Sequence, residues 1–239
     1  MYTERTYRHT VRTGLVDFEV KVGESDLFLS ADRRLVRQTA GLLREVRAEL
    51  EAYLARHPAF QTSLEPVRLK RAAPPIAREM AQAARAAGVG PMAAVAGAIA
   101  EAVGRGLLRW TREVIVENGG DLFLNCVRPK RIAIFAGQSP LSQRVGLEVQ
   151  PGEMPLGVCT SSGTVGPSLS FGRADAATLV ARSAALADAA ATAVGNAVKS
   201  VEDIAKGLEL ARRIPGVRGA VIIKDDRLGV WGQVTLIPL

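Results

Sequence analysis

Asp188 and Thr192 are the residues of this chain whose types and spacing best suit a chemical task. In Ala187-Asp188-Ala189-Ala190-Ala191-Thr192-Ala193 they stand four positions apart among alanines, so on a helix a carboxylate and a hydroxyl leave from one face. Two hard oxygen donors suit a hard cation such as Mg2+, which takes few protein ligands and completes its shell with phosphate and water. The structural alternative uses the same residues: Asp188 favours the first turn of its helix through the dipole, and Thr192 bonds the carbonyl one turn back.

Two further segments carry polar groups at turns. Cys159-Thr160-Ser161-Ser162-Gly163-Thr164 follows an apolar run. Consecutive small hydroxyl residues with glycine can converge N–H and O–H groups on an anion, although a surface turn has the same composition. No histidine lies nearby, and neither a G-x-S-x-G elbow nor a P-loop occurs, so a serine hydrolase and a P-loop NTPase are poor fits. Cys159 is either a reactive thiol with a lowered pKa or a buried strand-end cysteine. In Glu117-Asn118-Gly119-Gly120-Asp121 the paired glycines allow positive φ. They admit either a planar ligand, with Asn118 and Asp121 bonding its polar edges, or an ordinary hairpin turn.

The whole chain limits what these groups can be. Its 239 residues, 48% hydrophobic and 23% charged, are enough to bury a sizeable core and exclude disorder as the main state. The net charge of +7 is spread along the chain, and aromatic residues make up only 5% without RNP-like interleaving, so nucleic acid is not an expected partner. The polar start, Met-Tyr-Thr-Glu-Arg-Thr-Tyr-Arg-His-Thr, lacks the apolar stretch of a secretory signal. The charge-free run Ala86 to Ala100 is short for a membrane span and interrupted by glycine and proline. A soluble, cytoplasmic protein without membrane contact is expected. Two cysteines, Cys126 and Cys159, and two histidines, His9 and His57, exclude a disulfide framework, a zinc cluster and a multi-histidine centre. Any metal must be held mainly by oxygen.

The elements that position these groups follow from periodicity and punctuation. Residues 6 to 12 could form a strand, Leu15 to Lys21 alternates as a half-buried strand, and a turn at Gly23-Glu24-Ser25 leads into Leu27-Phe28-Leu29. Asp32 is the expected cap of a helix from Arg33 to about Arg56, stopped by Pro58. After a loop comes a helix from Pro75 to Ala87, a Gly88-Val89-Gly90-Pro91 break, and an alanine-rich helix from Met92 to Trp110. The small residues of that helix, Gly97 among them, point to close approach by backbone or ligand. Short apolar runs at Val114–Val116, Asp121–Cys126, Arg131–Ala136, Val145–Val149 and Leu156–Thr160 predict an antiparallel meander. A strand at Ala177–Arg182, a helix at Ala184–Val198, a second helix at Val201–Arg213 capped by Ser200, and a hairpin of Gly219–Lys224 with Leu228–Leu236 complete the chain. One domain over residues 1–239 is expected, with 58–75 the best internal boundary.

In order, the motifs resemble a known family. Val95-Ala96-Gly97-Ala98-Ile99-Ala100, Ile115-Val116-Glu117-Asn118-Gly119-Gly120-Asp121-Leu122, Thr160-Ser161-Ser162-Gly163 and Thr178 through Ala193 are similar to the helix, Gly-Gly-Asp turn, Thr-Ser-Gly and Asp-Ala-x-Ala-Thr-Ala of the ApbE-like FAD:protein FMN transferases. The resemblance covers roughly the C-terminal 60% of the chain. It implies an α+β fold with mainly antiparallel strands and packed helices. FAD or FMN would sit against Gly97, Asn118, Gly119, Gly120, Asp121, Thr160, Ser161, Ser162 and Gly163, with Mg2+ on Asp188 and Thr192. In that family FMN passes to a Thr or Ser of another protein and AMP leaves.

The departures matter as much. Where the family has Gly-Ile-Ala-Lys-Gly this chain has Ala98-Ile99-Ala100-Glu101-Ala102, which turns a positive charge near the ligand negative. The family's His-Ile-x-Asp-Pro is replaced by Leu169-Ser170-Phe171-Gly172-Arg173-Ala174-Asp175, and no histidine follows His57. The shorter chain looks like a separate branch of anaerobic bacteria and archaea, associated with sulfur assimilation toward homocysteine. The expectation is a flavin or adenine-dinucleotide binder with altered or lost transferase chemistry. The alternatives are an active FMN transferase and a non-catalytic accessory of the sulfur pathway, with an acceptor or sulfur-pathway protein as partner and a homo-oligomer allowed.

Overall fold

Val217–Lys224 shows how the molecule is layered. Its apolar run has no alternation, because both faces are covered: Ala220 and Ile222 join one hydrophobic cluster, Val221 and Ile223 another. The computed structural model describes residues 14–69, 72–164 and 171–239, so the strand expected at residues 6–12 lies outside the described residues. The elements are β1 (Val16–Val22), β2 (Ser25–Ala31), α1 (Val36–Arg56), α2 (Pro58–Thr62), α3 (Pro75–Ala87), α4 (Val95–Leu107), β3 (Val114–Asn118), β4 (Asp121–Asn125), β5 (Lys130–Ala133), β6 (Val145–Val149), β7 (Leu156–Ser161), β8 (Ala176–Ala181), α5 (Ala184–Ala197), α6 (Ile204–Arg213), β9 (Val217–Lys224), β10 (Arg227–Gly232) and β11 (Thr235–Pro238).

An eight-stranded antiparallel sheet runs in the order β1-β2-β3-β4-β7-β8-β9-β10. Helices cover one face, where Leu29, Val116, Phe123 and Leu179 meet Leu43, Met80, Val103 and Val194. On the other face Leu124, Val158, Val180 and Val221 meet Ile134, Leu147 and Val149 from around a three-stranded sheet, β11-β6-β5. This α+β architecture, mainly antiparallel with packed helices, is the expected one.

Several expectations need correction. The runs from Val114 to Thr160 are not one meander, since β5 and β6 leave the large sheet and pair with β11 across its second apolar face. Likewise Leu228–Leu236 is not one strand: it breaks at Gly232, whose φ of 89° ends β10 before β11 crosses to the small sheet. Asp32 does not cap α1, which begins at Val36. Its carboxylate instead accepts from the Thr111 hydroxyl at 2.9 Å and from N–H of Arg112 at 2.8 Å and Glu113 at 3.2 Å, pinning the connection between α4 and β3. Proline and glycine explain the rest. Pro75 opens α3, Gly88 at φ 73° closes it, and Pro91 begins a 3-10 turn over Pro91–Ala94, so α4 starts only at Val95.

Candidate functional site

Small residues let α4 lie against α5 almost backbone to backbone. A Cβ on Gly97 would stand 2.2 Å from the Ala184 carbonyl oxygen and 2.9 Å from Cβ of Asp188, and one on Gly157 of β7 would be 2.3 Å from Cα of Ala184. Gly97 therefore admits a helix, whereas the sequence left open a ligand. Each of the two helices caps the other. Oδ2 of Asp188 accepts from the Gly97 N–H at 2.9 Å in the first turn of α4, and Oε2 of Glu101 accepts from the Ala184 N–H at 2.6 Å in the first turn of α5. Glu101 is buried and its other oxygen pairs with Arg105 at 2.7 Å. The charge that replaces the family's lysine is thus spent on helix α5. Nothing in sequence spacing revealed this, because the partner lies 83 positions away.

Beside this contact stands the hairpin of β3 and β4. Asn118 pairs with Asp121 across a two-residue turn in which Gly119 has φ 71° and Gly120 φ 109°, a conformation that favours glycine at both places. The turn is ordinary in form but specific in position. The Asn118 amide donates to the Ala96 carbonyl at 3.1 Å, and a Cβ on Gly120 would have only the Thr160 carbonyl within 4 Å, at 3.9 Å. Asp121 sits across from Cys159 of β7. Burial, then the charge of Asp121, hold the Asp188 carboxyl well above its ordinary range, opposed by the Gly97 and Ala96 N–H groups.

Cys159 is fully buried and donates to the Ala184 carbonyl at 3.3 Å. Burial and then the charges of Asp121 and Asp188 raise its pKa, so the thiol stays protonated. Cys126 is buried too, and burial pushes it up to about 12. Of the two sequence readings of Cys159, the buried strand-end cysteine is the observed one.

Thr160, Ser161 and Thr192 continue the same side of the molecule. The Thr160 and Thr178 hydroxyls share a hydrogen bond at 2.9 Å, and Ser161 Oγ would lie 3.3 Å from a Cβ on Gly195 in α5. Thr192 is half-buried. Thr39 donates its hydroxyl to the carbonyl one turn back, at Leu35; Thr192 makes no such bond among the described residues. Ser162 and Gly163 face a different task. The Gly163 N–H donates to the Ala174 carbonyl at 2.9 Å and the Thr164 N–H to Ser162 Oγ at 3.1 Å, which ties the residues after β7 to those before β8. Asp175 reinforces this tie, accepting from the Thr164 hydroxyl at 3.3 Å and the Asp225 N–H at 2.6 Å with Lys224 3.7 Å away.

One edge of the helical layer thus gathers Gly97, Asn118, Gly119, Gly120, Asp121, Thr160 and Asp188, with Thr192 one turn further along α5 and Ser161, at the end of β7, beside Gly195 of that helix. Among the described residues no three His, Cys, Asp or Glu side chains form a metal cluster. An ion on Asp188 and Thr192 would take its remaining ligands from water and a bound molecule.

The fold is that of the ApbE flavin transferases. The apo structure of the flavinyl transferase ApbE from Pseudomonas stutzeri matches over 91% of this chain and 94% of its own, with TM-score 0.55 and 17% identity. The ApbE protein of Thermotoga maritima matches over 91% and 96%, with TM-score 0.51 and 12% identity. The family described as "AbpE bacteria" matches residues 8–229, and the chain belongs to it, as the motifs implied. Among its relatives, a UPF0280 protein of Methanocella arvoryzae is 46% identical over 193 residues, 80% of this chain and 78% of that one. Another, of Methanosphaerula palustris, is 48% identical over 190 residues, 79% and 78%.

Proposed function

We propose that the protein binds a flavin or related adenine dinucleotide together with Mg2+, with its transferase chemistry altered or lost. The observation that carries this reading is the half-buried Asp188, whose carboxyl is raised in pKa by desolvation and by Asp121, with the Thr192 hydroxyl one turn further along α5. Two carboxylates sharing a low-dielectric edge repel, and a divalent cation offsets that repulsion. The donors are hard oxygens, which fits Mg2+. Oδ2 of Asp188 accepts from the Gly97 N–H, which holds the carboxyl at the start of α4. When bound, the ion would neutralise and orient a diphosphate.

The chain's own groups argue for altered chemistry. Asp175, in the segment that replaces His-Ile-x-Asp-Pro, is committed to Thr164, Asp225 and Lys224, and no histidine follows His57. The accessory role in sulfur assimilation finds no support in the thiols, which are buried and protonated. No single described helix is long and apolar enough to cross a membrane.

Titration with FAD, with and without Mg2+, followed by product separation, tests the reading. The expected result is Mg2+-dependent binding with FAD left intact, lost in Asp188→Ala. AMP release would instead establish an active transferase, and equal binding by parent and Asp188→Ala would overturn the metal assignment.

A further inference from the structure

Beyond Thr192, the same side of α5 carries Gly195 and Asn196, seven and eight positions after Asp188. Three successive residues of another segment are fastened there. The Phe171 N–H donates to Oδ1 of Asn196 at 2.8 Å. A Cβ on Gly172 would stand 1.8 Å from the Gly195 carbonyl oxygen, and the Arg173 N–H donates to the Val198 carbonyl at 2.7 Å. Ser161 packs beside Gly195 as well. Phe171 is therefore held at its backbone, yet the residue is 56% exposed. An aromatic residue anchored through its backbone and left more than half exposed contributes little to the core. It offers a flat apolar face whose ordering cost is already met by its backbone contacts.

We propose that Phe171 is a stacking platform for the heteroaromatic ring of a nucleotide or flavin whose diphosphate lies at Asp188 and Thr192. The proposal rests on the diphosphate reading given above. Eight helical residues separate Asp188 from Asn196, a rise of about 12 Å, which is the reach of an extended nucleoside phosphate. The ring and the diphosphate of one ligand can therefore meet the two ends of this face. Phe171 lies in the segment that replaces the family's histidine motif, so the platform is a property of this chain's own sequence. The ring is either adenine or isoalloxazine; the stacking chemistry is shared.

The test is equilibrium titration of the full chain with FAD, ADP and FMN in the presence of Mg2+, using the parent, Phe171→Ala and Phe171→Trp. Phe171→Ala should bind FAD about tenfold more weakly, the usual scale of one lost base–aromatic stack. Phe171→Trp should retain affinity, and its added indole emission should be quenched by the ligand. Competition by Mg2+–pyrophosphate, which has no ring, should match in parent and Phe171→Ala. A loss confined to ADP assigns the platform to adenine, and one confined to FMN assigns it to the flavin. If the parent binds all three ligands and Phe171→Ala weakens none of them, the platform is refuted while the diphosphate reading stands. If the parent binds none of them with Mg2+, the diphosphate reading fails and the platform fails with it. Because Phe171 is exposed, both variants should unfold at the parent's denaturant midpoint.

Discussion

Gly97→Ala is the perturbation that best separates a ligand cradle from a helix contact. The added methyl would lie 2.2 Å from the Ala184 carbonyl oxygen, about 1.2 Å inside the 3.4 Å at which ordinary contact begins, and 2.9 Å from Cβ of Asp188. The near atoms are mostly backbone, which cannot swing aside, so α4 and α5 must separate. Overpacking of this kind costs about 1–3 kcal/mol. Separation also lengthens the Gly97 N–H bond to the Asp188 carboxyl, a hydrogen bond worth about 0.5–1.5 kcal/mol. Alanine's better helix propensity returns about 1 kcal/mol. The net expectation is a loss of about 2 kcal/mol, or about 6 °C in Tm for a chain of this size. Urea unfolding monitored by far-ultraviolet circular dichroism measures it, with FAD titration of the same variant alongside. A variant within about 0.5 kcal/mol of the parent that nevertheless bound FAD poorly would refute the reasoning. Gly97 would then serve the ligand rather than the helix.

Three other outcomes follow from the same geometry. Glu101→Ala removes the buried acceptor of the Ala184 N–H and should destabilise by about 2–3 kcal/mol, with Glu101→Gln closer to the parent in the same urea experiment. Because the folded-state pKa of Asp188 is raised, the native protein holds a proton that the unfolded chain releases near 3.8. Stability from this group should fall as pH rises above that value through the folded pKa. Thermal melts across pH should show the decline, with Mg2+ restoring more stability at pH 7.5 than at 4.5 and Asp188→Asn abolishing both effects. Finally, neither Cys126 nor Cys159 should react with Ellman's reagent in the folded protein at pH 8, while both react in urea; fast labelling of either would contradict their burial.

The sequence was most legible where local chemistry decides. Pro75 and Gly88 bracket α3 at the expected residues, Val145–Val149 is the expected strand, and paired glycines make the expected two-residue turn. It was least legible where a distant partner decides. Asp32 has the composition of a cap and works instead as an acceptor for the β3 entrance. The diversion of β5 and β6 depends on both faces of a large sheet needing cover, which no local window contains. In the site, Asp188 was visible from its spacing and Asp121 from its turn. Glu101 was noticed only as a substitution, and its meaning needed the far end of another helix. The fastening of Phe171 to Asn196 joins residues 25 apart through one backbone amide, a bond that leaves no sequence pattern.

The mutual capping of α4 and α5 separates the history of the site from its present occupant. An aspartate that only held a metal would be free to drift once the ligand changed. Asp188 closes the N-terminus of α4, and Glu101 returns the service from across the contact, so losing either carboxylate exposes an N-terminus inside the protein. The scaffold itself therefore selects for acid at these positions. A lineage can exchange one bound molecule for another around Asp188 without first dismantling the motif.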